Sequence, residues 1–291
     1  MSTPDSDTLQ RFHFETAAVR GELVRLGASL REILGQHFYP APVAKLLGET
    51  LAASALLSST IKYSGTLSLQ AKSEGPLGIL FAECSHDRQL RGYARVATEA
   101  LGENFADLLH NGTLAITISP ERGQRYQGIV PLDAPGLAGC LEHYFAQSEQ
   151  LPTAIWLACD GDHAAGLLLQ SLPSARRRFP EERAKWEHLH QLASTIRPQE
   201  LLGERFETLL YHLFHQERVR VQGAESVRFG CRCSNERATD TLRSLGEQEL
   251  RAILAEQGLI RVQCEFCQQE YRFDDSALQR MFDTPGGETV H

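Results

Sequence analysis

Cys231 and Cys233 form a CxC pair, and Cys264 and Cys267 form a CxxC pair some thirty residues downstream. Cysteine thiolates are soft ligands, and two such pairs can supply all four donors of a tetrahedral zinc site. The same spacing lets each pair close locally as a disulfide. A cluster able to exist in both forms is a candidate redox switch, because oxidants attack thiolates and loss of the ligands releases the metal. A purely structural zinc knuckle fits the spacing equally well. Disulfides of a secreted protein fit poorly, since the chain has seven cysteines, an odd number. The opening MSTPDSDTLQ also lacks the basic and apolar regions of a signal peptide, so a reducing cytosol is the expected compartment. Cys84, Cys140 and Cys159 stand singly among apolar neighbours and read as small buried hydrophobes.

The elements that must position this cluster begin with a core domain over residues 1–174, expected to be mixed α+β. At 291 residues and 42% hydrophobic content, the chain can build a sizeable core and one small accessory domain. Polar and aromatic residues alternate over 11–15, the two-residue period of a strand with one buried face. Pro40 and Pro42 introduce a helix over 43–63. Its apolar run, 46–61, is too short and too rich in serine to span a bilayer, so no membrane partner is expected. Strands are expected over 66–72, 78–84 and 90–96, separated by Ser73-Glu74-Gly75-Pro76 and Ser85-His86-Asp87, and short connections favour antiparallel pairing. A hairpin over 113–119 and 126–131, a helix over 137–148, and a further strand pair over 153–159 and 164–172 complete the domain.

Composition changes after Pro173. Arg176-Arg177-Arg178 and Pro180 have little to bury and read as a solvated hinge that opens a linker over 175–230. Leu189, Leu192 and Ile196 lie on one helical face. After Arg197-Pro198, a second helix carries the stripe Leu201, Leu202, Phe206, Leu209, Leu210, Leu213 and Phe214, with Pro198 in its first turn. Such a stripe must be covered: either it packs permanently on the core, or, given its place beside the cysteine cluster, its docking depends on whether metal keeps the neighbouring module folded. That module, 231–291, opens with Ser234 as an N-cap, then helices over 238–245 and 247–256, the second closed by Gly258. Strands over 259–262 and 268–273 flank the second cysteine pair. Ile253, Leu254, Ile260, Val262, Phe266 and Tyr271 are few for a domain of this size, which therefore needs a staple.

Other functional classes find little support. A formal net charge of -8 and a pI near 5.8 argue against a phosphate-backbone partner. Within 231–273, arginines 232, 237, 243, 251, 261 and 272 are outnumbered by the acidic residues at 236, 240, 247, 249, 256, 265 and 270. A nucleic-acid-binding zinc ribbon with a purely structural metal is the alternative this disfavours. An enzyme would have to recruit His212, His215 and Glu217, or His86 and Asp87, yet no third metal ligand, HExxH, GxSxG, P-loop or dinucleotide motif accompanies them.

The run Leu213-Phe214-His215-Gln216-Glu217-Arg218-Val219-Arg220, then Phe229-Gly230-Cys231-Arg232-Cys233-Ser234, then Cys264-Glu265-Phe266-Cys267 with Tyr271-Arg272-Phe273, closely resembles the redox-regulated holdase chaperones of the thirty-three-kilodalton heat-shock protein family. Ser73-Glu74-Gly75-Pro76-Leu77-Gly78 resembles a glycine-bearing loop of the same family, while Gln216 stands where an acidic residue is expected. The resemblance implies a cytoplasmic, non-enzymatic, ATP-independent chaperone that is inactive while one zinc ion is held by Cys231, Cys233, Cys264 and Cys267. It further implies that oxidative stress with heat closes the disulfides Cys231–Cys233 and Cys264–Cys267, releases zinc, unfolds the module and linker, and exposes apolar surface to unfolded client proteins. Activated relatives are similar in forming homodimers.

Overall fold

The computed structural model describes residues 6–60, 64–98, 102–172 and 180–283. The chain divides into two compact units, Met1–Gly230 and Cys231–His291. Through residue 172 the first unit runs β1 (Thr8–Phe14), β2 (Val19–Leu26), α1 (Ala28–Leu34), α2 (Ala41–Ser59), β3 (Gly65–Lys72), β4 (Leu77–Ser85), β5 (Gln89–Val96), α3 (Phe105–Leu108), β6 (Thr113–Pro120), β7 (Tyr126–Pro131), α4 (Leu137–Tyr144), β8 (Thr153–Cys159) and β9 (Ala164–Ser171). It continues with α5 (Pro180–Ala193), α6 (Pro198–Gly203), α7 (Phe206–Phe214), β10 (Val219–Val221), β11 (Glu225–Ser226) and β12 (Arg228–Phe229). The fold is α+β, as expected.

Two sheets enclose α2. The first has the order β10-β1-β2-β9-β8, with β11 also on β1; the second has the order β12-β5-β4-β3-β6-β7. Every pairing is antiparallel except the short β12 on β5. Fourteen of the 19 residues of α2 are buried, so this helix is covered on every side rather than along a stripe. Its hydroxyls survive in the core by donating back to the helix, Thr50 Oγ1 to Leu46 O at 2.7 Å and Ser54 Oγ to Leu51 O at 2.8 Å. The expected helix over 43–63 ends at Ser59, and residues 61–63 lie outside the described residues.

The other face of the first sheet carries Phe12, Phe14, Val19, Leu23, Leu167 and Leu169, and α5, α6 and α7 cover it. Phe214 meets Phe14 edge-on at 5.0 Å between ring centroids, and Phe12 stands 6.2 Å from Phe214. Phe12 can lie flat against β2 because its cross-strand partner is Gly21, where an added Cβ would fall 2.1 Å from the ring.

Several expectations need correction. β2 was not anticipated, because covers on both faces leave it buried almost throughout, without alternation. The single helix expected across the 201–214 stripe is two helices, since Glu204 is extended at ψ 151. Arg25 supplies the reason. It is fully buried, and its Nη2 donates to Leu201 O and Glu204 O at 2.6 Å each, collecting carbonyls left free where α6 ends. Its guanidinium also lies 4.9 Å over the Phe206 ring. Residues 219–229, expected within a helical linker, form strands: the β-branched alternation of Val219-Arg220-Val221 pairs with β1. The Arg176-Arg177-Arg178 hinge lies outside the described residues.

The second unit contains α8 (Asn235–Arg243), α9 (Glu247–Gln257), a hairpin of β13 (Ile260–Gln263) with β14 (Glu270–Phe273), and α10 (Asp275–Asp283). α8 begins before the expected position 238. α10 was missed, although Asp274 caps it by accepting the Ala277 N–H at 2.8 Å and Leu278 and Met281 bury one turn apart. Gly258, at φ 71, terminates α9 in the left-handed conformation that glycine adopts without strain.

Candidate metal and redox centre

The two cysteine pairs stand on different supports. Cys231 and Cys233 precede α8, where the Ser234 hydroxyl accepts the Arg237 N–H at 3.2 Å and fixes the helix start directly after the pair. Cys264 and Cys267 occupy the tip between β13 and β14. There Cys264 N donates to Gln269 O at 3.0 Å and Gln268 N to Cys264 O at 2.9 Å, with Gln268 left-handed at φ 56. Hydrogen bonds at both ends of the turn hold its two thiols on one side.

All four sulfurs come together, each within 4.8 Å of the others. The nearest approaches run between the pairs, Cys231 Sγ to Cys264 Sγ at 3.6 Å and Cys233 Sγ to Cys267 Sγ at 3.4 Å. A tetrahedron with zinc–sulfur bonds of about 2.3 Å has edges near 3.8 Å, so the cluster has the size and the donor set for one such ion. All four cysteines are partly buried, which limits solvent access without closing the site to a small oxidant.

The thiols are not equivalent. Burial acts to raise the Cys233 thiol, but hydrogen bonds from the Tyr271 hydroxyl and the other three cysteines outweigh it and bring its pKa down to about 7. The same contact, which makes Tyr271 the donor, pushes that phenol up to about 12. Burial pushes the Cys231 and Cys267 thiols upward. The Tyr271 hydroxyl thus favours the thiolate form of Cys233. The sequence reading placed Tyr271 in the core; its hydroxyl contact with Cys233 is a role that spacing could not reveal.

The remaining candidates separate from this site. Cys84 and Cys140 are buried in the main core, and burial pushes Cys84 up to about 11 and Cys140 upward. Cys159 packs against the same core and burial likewise pushes it up to about 11. His212 Nδ1 pairs with Glu204 at 3.0 Å, His215 tilts against Tyr211, and Glu217 pairs with His188 at 3.1 Å, so the three do not converge on a common point. Among the described residues, the four-cysteine group is the one cluster of histidine, cysteine or carboxylate ligands placed to hold a metal.

The chain matches the model of the Hsp33 protein family over residues 7–274. It is 49% identical over 287 residues to a 33 kDa chaperonin of Ectopseudomonas mendocina, with 97% of each chain covered. It is 50% identical over 282 residues to a 33 kDa chaperonin of Azotobacter vinelandii, covering 96% of this chain and 95% of the other. Its fold matches the crystal structure of a 33 kDa chaperonin from Thermotoga maritima with a TM-score of 0.80 at 21% identity, over 95% of this chain and 98% of that one.

Proposed function

The chain belongs to the Hsp33 family, and from that premise we propose that it is a redox-regulated, ATP-independent holdase. In the reduced state Cys231, Cys233, Cys264 and Cys267 hold one zinc ion as thiolates. When bound, the ion supplies the cross-link that the small second unit needs in order to fold. Oxidation closes Cys231–Cys233 and Cys264–Cys267. Each bond forms by loss of two electrons from a pair of thiolates, and each is balanced by one hydrogen peroxide that takes up two protons from solvent and is reduced to two waters. The sulfurs then cease to be ligands, and the second unit loses its staple.

The single observation that carries the reading is the cover of the first sheet. An apolar face built from Phe12, Phe14, Leu23, Leu167 and Leu169 lies beneath three short helices, and these run through β10, β11 and β12 into Cys231. Across 181–214 only eight residues are buried: Leu189, Ala193, Leu201, Phe206, Leu209, Leu210, Leu213 and Phe214. A cover buried so thinly is removable. When order is lost at Cys231, the strap over 219–230 frays from that end, α5–α7 follow, and the uncovered face receives unfolding clients. Heat assists, because linker undocking is a second barrier after oxidation. The active form is a cytoplasmic homodimer, and nucleic acid is not a partner. Among the described residues no helix is long and apolar enough to cross a membrane.

The test follows zinc release with a chromogenic chelator during peroxide treatment at raised temperature, with suppression of client aggregation measured in the same tube. Both signals are expected to rise together and to reverse with dithiothreitol and zinc. Zinc loss without holdase activity would reduce the cluster to a structural staple.

A further inference from the structure

Where α2 ends, a cavity of about 680 Å³ opens between the two sheets of the first unit. Arg11 and His13 of β1, Arg20 and Glu22 of β2, and His86 and Arg88 of the β4–β5 turn line it. Glu22 is 1% exposed, and neither its Oε2 nor Arg20 Nε has a hydrogen-bond partner among the described residues. The two side chains approach to 3.8 Å between Arg20 Nε and Glu22 Oε1, longer than a hydrogen bond.

The surroundings are rich in donors. Arg88 donates Nε to Glu225 Oε2 at 2.7 Å and Nη1 to Ser58 Oγ at 3.0 Å, while Arg11 pairs with the other Glu225 oxygen. One Glu225 carboxylate, at most one further charge on Glu22, and the negative end of α2, about half a charge, do not balance three guanidiniums. Burial, partly offset by Arg20, Arg11 and Arg88, pushes the Glu22 carboxyl up to about 7, so near neutrality it also offers an O–H.

We propose that this cavity binds a phosphorylated small molecule whose phosphate is gripped by Arg11, Arg20 and Arg88. Guanidinium forks and a protonated carboxyl call for an occupant with several acceptor oxygens and up to two negative charges, which a phosphate group presents. The cavity exceeds what bare phosphate fills and lies within the roughly 300–1,000 Å³ of small-molecule sites, so the phosphate is carried on a larger body. One wall is Gln222, whose N–H donates to Arg11 O at 2.8 Å and whose carbonyl accepts from Gln10 Nε2. That wall belongs to the strap leading to Cys231, so occupancy favours the docked strap by mass action. Binding itself is independent of the holdase reading, whereas the coupling rests on it.

Inorganic phosphate and pyrophosphate are titrated at constant ionic strength into the reduced, zinc-loaded full chain while backbone amides are followed by NMR. The expected result is saturable shifts confined to the neighbourhoods of Arg11, Arg20, Glu22, Arg88 and Gln222, with pyrophosphate the tighter ligand. Arg20→Gln is expected to weaken binding about ten-fold, the effect of one charge-assisted hydrogen bond, and Arg122→Gln to leave it unchanged. Linear shifts, equal shifts with chloride, or wild-type affinity in Arg20→Gln would overturn the proposal. The wild-type titration decides alone should that variant fail to fold. Pyrophosphate is further expected to raise the temperature of linker undocking, read from tryptophan fluorescence. Saturable binding with no such rise overturns the coupling and upholds the site.

Discussion

The first sheet has two covers of unequal kind. Toward α2 it meets a helix buried on all sides, with 14 of 19 residues inaccessible, whereas toward the linker it meets helices that bury eight residues across 181–214. The two long polar side chains buried on β2 divide the same way. Glu22 faces the α2 side and keeps an oxygen without a partner, while Arg25 faces the linker and is answered by its backbone carbonyls. One cover is inseparable from the fold of the unit, and the other is held by a short apolar stripe and a few polar contacts. The second unit is thinner still, with seven buried apolar residues as its core.

The largest expected effect tests that ranking from its weakest member. Chelation of zinc, or Cys264→Ser, is expected to cost the second unit on the order of 10 kcal/mol. Amide dispersion over 231–283 should then collapse while residues 8–172 keep theirs; a persistently dispersed second unit would show that its apolar core suffices. Next, Phe214→Ala should cost about 3–5 kcal/mol of linker docking. Trp156 and Trp186, the only tryptophans in the chain, both stack near His190, at 5.8 and 6.0 Å between ring centroids, so their fluorescence reports the linker cover. The variant is expected to show solvent-exposed tryptophan and holdase activity at lower oxidant, whereas Leu51→Ala in α2 should lower the unfolding temperature of the whole unit without that separate transition.

A third test addresses the α2 face through pH. The Glu22 carboxyl is raised from 4.5 to about 7 in the fold, so between those values the native state binds a proton that the unfolded chain has released. Its stabilising contribution is complete below pH 4.5 and is lost as pH rises to about 7, a change of about 3 kcal/mol. Urea unfolding across this range should show the decline in the wild type, and Glu22→Gln should remove it. The smallest effect is expected from Ser234→Ala, which deletes the N-cap beside the CxC pair at a cost of about 1 kcal/mol. Zinc affinity should fall several-fold by chelator competition, with the tryptophan signal of the reduced form unchanged.

What was legible in the sequence follows from how local its cause is. The β3–β4–β5 meander could be read because its strands alternate and turn signals separate them. The CxC and CxxC pairs could be read because each is set by a few neighbouring residues, and the fold brings all four sulfurs together. β2 could not, since two covers erase the alternation that marks a strand. The break at Glu204 was invisible for a different reason: it depends on Arg25, far away in the chain, reaching into the linker. The cavity beyond α2 is equally non-local, assembled from two strands, the end of α2, the β4–β5 turn and the strap.

Arg25 carries one more consequence. It lies on the same face of β2 as Leu23, in the surface that the linker covers. In the activation proposed above, α6 lifts away and leaves a guanidinium amid exposed leucine and phenylalanine. A charge set within an apolar strand face acts as a gatekeeper against self-association, raising the cost of stacking one bare sheet on another. On that reading the bare face favours a disordered chain that can arrange itself around the cation over sheet-on-sheet stacking, and the pairing of two copies falls to other surfaces.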